Sequence, residues 1–290
     1  MEIAALESQP ELDSIMQAAA RYGIETNLLD LITYGFTVIP PEKVAPVEFT
    51  DRLRTALLEL SERIGNHIDD WRTFDGPLEY RLANSGLLME DEVFIEMIHN
   101  PVMQFVAQFM MGKSAFVGAT FGNIKTCQQG SGKGLHADQF NIQSPWPTYD
   151  HYANLSWLLS DYNGLEDGPT VLIPGSHLRS TQPHPASGKN MEEIQQLLDQ
   201  GRSEHTKPVA ITGPAGSLAC WTGSTWHAAP PKYTPGLRLM ITSFWMRQHV
   251  RAWHRYDNID PALLQRWPDL PRLIGEVRSV ETQPGMTQYA

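Results

Sequence analysis

In the stretch GLHADQF, residues 134–140, a histidine and an aspartate stand one residue apart, His136 and Asp138. In a β-strand, residues two apart point to the same face. The spacing therefore aims an imidazole and a carboxylate at one point. Such a pair is half of a metal site and needs a third ligand. His227, in GSTWHAAPP, is the best candidate, with 88 residues between it and Asp138. Two imidazoles and one carboxylate form the facial set of non-haem Fe(II) oxygenases, which holds the metal while leaving positions open for co-substrate and O2. Eleven residues after His227, Arg238 opens the apolar stretch GLRLMITSF. Its planar guanidinium can grip a carboxylate through two parallel hydrogen bonds. An arginine inside a small barrel requires an anionic partner, and the distal carboxylate of 2-oxoglutarate would supply it.

The elements that must position these residues fall into two blocks. Residues 1–112 are mostly helical by pattern. Leu12, Ile15, Met16 and Ala19 share a helix face, with Gly23 as a stop. YGFTVIP (34–40) reads as a short strand. Phe49, Leu53, Ala56, Leu57, Leu60 and Ile64 make an amphipathic helix over 48–64. Two further helical pieces in 91–112 divide at Asn100-Pro101, a good cap followed by a good first-turn residue. From residue 113 to 250 the apolar runs become short and turn-bounded. AFVGATF, NIKTCQQ, ANLSWLLSD, TVLIP, GSLACW and LRLMITSFW all read as strands. Many short strands without alternating helices point to an antiparallel sandwich or barrel. A polar insertion over 178–208 interrupts them, with a short helix expected around Met191, Ile194, Leu197 and Leu198. Residues 251–290 read as a packing segment. The reading is one domain over 1–290, mainly β with N-terminal helices against one sheet.

The order His136-Ala137-Asp138, then WLLSDYNGLEDGPTVLIPGSH (157–177), then His227 and Arg238, resembles the phytanoyl-CoA dioxygenase family. YGFTVIPPEKV and the HNPVMQFVAQFMMG helix are similar to its usual entry, so the likeness runs over about residues 30–250. The resemblance implies a double-stranded β-helix (a jelly-roll, cupin-like core) and a dioxygenase using Fe(II), 2-oxoglutarate and O2. It carries the iron ligands onto His136, Asp138 and His227, and the 2-oxoglutarate carboxylate onto Arg238. Trp157 and Thr170 match positions that line the co-substrate, and Gln128 and Asn123 are further co-substrate contacts. Asp138 stands where related halogenases carry a small residue, so halogenation is disfavoured. The family's members act on acyl-CoAs, amino acids, alkaloids and terpenoids, which leaves the substrate open.

Composition narrows that choice. The chain has 290 residues, 41% hydrophobic and 19% charged, with a net charge of −11. An acidic balance opposes nucleic-acid binding, which needs a basic patch, and favours a small or medium organic molecule, such as a secondary metabolite, over a polyanionic acyl-CoA. No apolar run reaches the length of a membrane span, and the acidic start MEIAALESQPELD is no signal peptide. A cytoplasmic protein is expected. Cys127 and Cys220 read as reduced thiols. A barrel of this size fits a monomer or a homodimer. His177 in PGSH reads as a turn histidine. Trp221, Trp226 and Trp245 read as barrel packing, and the loop SPWPTYDHY as a substrate wall or plain packing. Two other readings stay open: a zinc hydrolase on the same triad, and a non-catalytic jelly-roll binding module.

Overall fold

The computed structural model describes residues 10–78, 81–82, 86–127, 133–183, 192, 196 and 207–276. The chain starts with helices α1 (Pro10–Tyr22) and α2 (Glu25–Tyr34), then strand β1 (Phe36–Ile39). Helix α3 (Val47–Arg63) buries Phe49, Leu53, Ala56, Leu57 and Leu60, the face its periodicity predicts. Strand β2 (Arg81–Leu82) leads to α4 (Glu92–Ile98) and α5 (Pro101–Met111). The break between those two is set by capping: the Asn100 side chain accepts from Met103 N at 3.0 Å, and Pro101 occupies the first turn.

The β region forms two antiparallel sheets. The larger has the order β1-β8-β5-β10-β3-β2, with β3 Phe116–Lys125, β5 Tyr152–Leu158, β8 Leu218–Thr222 and β10 Arg238–Met246. The smaller has the order β4-β9-β6-β7, with β4 Lys133–His136, β6 Val171–Leu172, β7 Val209–Ala210 and β9 His227–Ala229. The architecture is the expected one: two facing antiparallel sheets with helices at the N-terminus.

The larger sheet is buried on both faces. One face packs on α3 and α5 through Leu155, Trp157, Leu218, Cys220, Leu239, Ile241 and Trp245. Residues of opposite parity, including Leu158, Ala219, Trp221 and Met240, look into the barrel. Two short helices, Pro261–Arg266 and Leu270–Leu273, continue the packing segment, and Leu270, Leu273 and Ile274 join the same helical core.

Several expectations change. AFVGATF and NIKTCQQ are not two strands: β3 runs unbroken through Gly122 to Lys125, held by pairing with β10 on one side. TVLIP contributes only two strand residues. Met191, Ile194, Leu197 and Leu198, on which the expected short helix rested, and Gln128 lie outside the described residues. Both cysteines are free, and burial pushes the Cys220 thiol up. No helix among the described residues is long and apolar enough to cross a membrane.

Candidate metal centre

His136 is the last residue of β4 and His227 the first of β9, and the antiparallel register sets them opposite each other. Their ring centroids are 4.2 Å apart. Asp138 does not share a strand with His136, because β4 has already ended. It sits in the turn beyond, where its N–H donates to Gly223 O at 2.8 Å. The carboxylate still reaches both imidazoles: Oδ1 lies 3.6 Å from His136 Nε2 and Oδ2 lies 3.3 Å from His227 Nε2. One ligand atom from each residue lies within 4.8 Å of the other two, and all three residues are buried.

The surrounding hydrogen bonds prepare these atoms for a metal. His136 Nδ1 lies 2.7 Å from Gly134 O, and His227 Nδ1 lies 2.9 Å from Thr225 O. A carbonyl can only accept, so each Nδ1 carries the proton and each Nε2 presents its lone pair to the site. Burial, with His136 close by and Asp138 opposing, pulls His227 down to about 3, so it is a neutral imidazole near pH 7. Asn154 Nδ2, on β5, donates to Asp138 Oδ2 at 2.7 Å. Gln182 brackets Ala137, between the two ligands. Its Oε1 accepts from Ala137 N and its Nε2 donates to Ala137 O, both at 2.9 Å. His136 Nε2 and Asp138 Oδ1 are buried without a hydrogen-bond partner among the described residues. Buried polar atoms left unpaired are costly, and a divalent cation between the three residues is what this donor set fits.

A cavity of about 310 Å³ opens beside the triad. Arg238, 3% exposed, lines it. Its Nη1 donates to Gly168 O at 2.8 Å, while Nε is buried without a partner among the described residues. Gly168 has φ +63, and a Cβ there would stand 2.9 Å from the Lys232 backbone, so this turn can pack so closely only as glycine. Thr170, Asn123, Thr242, Met240 and Trp221 line the same cavity, and Asn123 Nδ2 donates to Thr242 Oγ1 at 3.0 Å.

Two aromatic assignments reverse. Trp157 does not line the cavity. It points to the helical face, where Nε1 donates to Thr50 Oγ1 at 3.3 Å and the ring meets Phe49 edge-on at 5.3 Å. Trp221, expected as packing, faces the cavity 5.6 Å from the His227 ring, and its Nε1 is buried without a partner among the described residues. In the SPWPTYDHY loop, Trp146 packs in a small apolar cluster and donates to Ile142 O at 3.0 Å. The aromatic wall comes from Phe121, Phe140, Phe244 and Trp253, with Lys133 over the Phe140 ring at 5.7 Å. None of these stood out in the sequence. His177 Nε2 meets Ile32 O at 3.2 Å, away from the triad.

The family model for phytanoyl-CoA dioxygenase (PhyH) matches residues 32–240. No curated protein matches the sequence. Among solved structures, EctD from S. alaskensis in its apoform aligns with a TM-score of 0.61 at 18% identity, over 79% of this chain and 80% of its own. SnoK, a non-heme alpha-ketoglutarate-dependent carbocyclase from nogalamycin biosynthesis, aligns at 0.58 and 17%, over 81% and 88%. HygX from Streptomyces hygroscopicus, with nickel, 2-oxoglutarate and hygromycin B bound, aligns at 0.56 and 20%, over 82% and 93%.

Proposed function

The chain belongs to the phytanoyl-CoA dioxygenase family of non-haem Fe(II), 2-oxoglutarate-dependent oxygenases, and we propose that it oxidises a small or medium organic molecule, most directly by hydroxylation. One observation carries this reading. Atoms on His136 and Asp138 that have no partner among the described residues share a cavity with a guanidinium nitrogen of Arg238 that has none there either. His136, Asp138 and His227 would hold the iron. Bound iron supplies the O2 chemistry that couples substrate oxidation to conversion of 2-oxoglutarate into succinate and CO2.

The protein's own part is positioning. Gly134 O and Thr225 O fix the imidazole tautomers. Asn154 aims the carboxylate. Arg238 holds the far end of the keto-acid, with Asn123, Thr170 and Thr242 along its length. The aromatic wall excludes water and suits a substrate with an apolar face. That cavity supports a secondary metabolite over an acyl-CoA, as does the kinship in fold with a carbocyclase of antibiotic biosynthesis and an enzyme crystallised with hygromycin B.

The test is an anaerobic titration of the metal-free protein with Fe(II), then with 2-oxoglutarate, followed by visible absorption. The expected result is a metal-to-ligand charge-transfer band that is absent in His227→Ala. In Arg238→Met it should need roughly a hundredfold more 2-oxoglutarate, the order expected for losing a charge-assisted pair. A protein that binds metal but gives no band overturns the reading in favour of a hydrolase.

A further inference from the structure

Arg238 does not stand alone: a second buried cation lies beside it, behind the residues that line the cavity. Antiparallel register sets Lys125, the last residue of β3, opposite Arg238, the first of β10. Directly paired residues leave a sheet on the same face. Lys125 is 3% exposed, and its Nζ crosses to the other sheet to donate to Pro230 O. Pro230 follows Ala228 and Ala229, which line the cavity. An ammonium has three N–H donors, and Pro230 O takes one.

A third cation, Lys232, is already committed. Its Nζ donates to Thr234 O at 2.8 Å, to Thr234 Oγ1 and to Pro235 O at 3.3 Å, and stands 3.9 Å from Asp167. Asp167 in turn accepts from Thr234 Oγ1 at 2.6 Å. Cys127 lies near Lys232, and the Tyr162 ring lies 5.7 Å from the Arg238 guanidinium. Among the described residues no carboxylate pairs with Lys125 or Arg238. Two buried cations on one sheet face without an anion are a costly arrangement that an arriving carboxylate relieves.

We propose that Lys125 is a second cationic anchor of the co-substrate pocket, joining Arg238 in holding the distal carboxylate of the keto-acid. The inference rests on the reading above that a 2-oxo acid binds here. It has a pH signature. Burial, with Arg238 and Lys232 facing it, pulls the Lys125 ammonium down to about 7. Below that pH the free protein already holds the charge. Above it Lys125 is a neutral amine, and binding of the carboxylate must take up a proton. Affinity for 2-oxoglutarate is therefore full on the acid side and falls as pH rises through 7, by roughly twentyfold from about pH 6.5 to about pH 8.5. A 2-oxo acid without the distal carboxylate, 2-oxobutyrate, has nothing to offer Lys125. It shares every other pH effect at the metal, so the ratio of the two dissociation constants isolates the lysine.

The experiment measures both constants anaerobically on the iron-loaded full chain, from the charge-transfer band, across that pH range. In the wild-type protein the preference for 2-oxoglutarate over 2-oxobutyrate should shrink roughly twentyfold towards alkaline pH. Lys125→Met should show a flat preference, about a hundredfold smaller on the acid side, the loss that a twentyfold pH dependence requires. Lys125→Arg, which keeps a cation that does not titrate, should restore the preference and hold it flat. A flat wild-type ratio, or a slope that survives in Lys125→Met, overturns the proposal. If Lys125→Met does not fold, the wild-type ratio alone decides. No band with either acid in the wild-type protein would remove the functional reading itself, a result distinct from bands of equal strength and pH dependence with both.

Discussion

Both faces of the six-stranded sheet are largely buried, and they differ in what their polar groups meet. On β5, Ala153, Leu155 and Trp157 look to the helices, while Asn154 and Ser156 look into the barrel. On β10, Leu239 and Ile241 look outward to α3 and α5, while Arg238, Met240, Thr242 and Phe244 line the cavity. The outer face is mostly apolar, and its polar groups are paired: Trp157 Nε1 with Thr50 Oγ1, and Ser243 Oγ with Leu155 O. The inner face keeps polar atoms on Trp221, Asn154 and Arg238 without partners among the described residues. Burial alone therefore separates nothing here. The difference lies in whether buried polar groups find partners among the described residues, and a buried polar group left without one is costly.

That contrast breaks if the inner face also carries stability, and the strongest test is at the metal. Asp138→Ala should abolish the keto-acid band entirely while leaving the thermal midpoint close to wild type, since at close range the carboxylate meets only the two imidazoles and Asn154 among the described residues, with Lys133 acting from farther off. A collapse of the fold would show the triad to be structural. On the outer face, Trp157→Ala should cost about 3–5 kcal/mol by denaturant unfolding, through lost burial and the cavity left behind. The folded fraction should bind 2-oxoglutarate as before. If binding weakens tenfold at unchanged stability, Trp157 acts on the co-substrate after all.

Two smaller effects sharpen the picture. Asn154→Leu keeps the volume but removes the hydrogen bond to Asp138, and should weaken Fe(II) binding roughly 10–100-fold, as loss of a ligand's outer partner does. Equilibrium dialysis against a metal indicator reads it. Phe140, 54% exposed and stacked on His136 at 5.7 Å, belongs to the mouth. Phe140→Ala should raise the KM for the organic substrate by about tenfold or less and leave the 2-oxoglutarate constant alone. A matching change in both would place Phe140 at the metal and not at the mouth.

Much of this was legible along the chain. The amphipathic stripe of α3, the Asn100-Pro101 cap and the outward apolar parity of β10 are local patterns, and local patterns survive folding. The donor set His136, Asp138 and His227, with Arg238 after it, was also legible, because the residue types needed to hold a cation and a carboxylate are few. Trp157 and Trp221 were not separable. Both sit in strands whose two faces are buried, where apolar residues occur on either side and alternation carries little information. Phe121, Phe140, Phe244 and Trp253 come from four different segments and meet only at the mouth.

The sequence by itself determined most of the elements, their order and the chemical identity of the groups gathered at the cavity, His136, Asp138, His227 and Arg238, because these depend on side-chain type and on spacing within one segment. Only the tertiary structure decided which way each doubly buried strand faces and that Asp138 reaches the site from a turn. It alone set Gln182 around Ala137 and Lys125 beside Arg238. Those outcomes depend on register between strands far apart in the chain, and a one-residue shift of register would send each side chain to the opposite face.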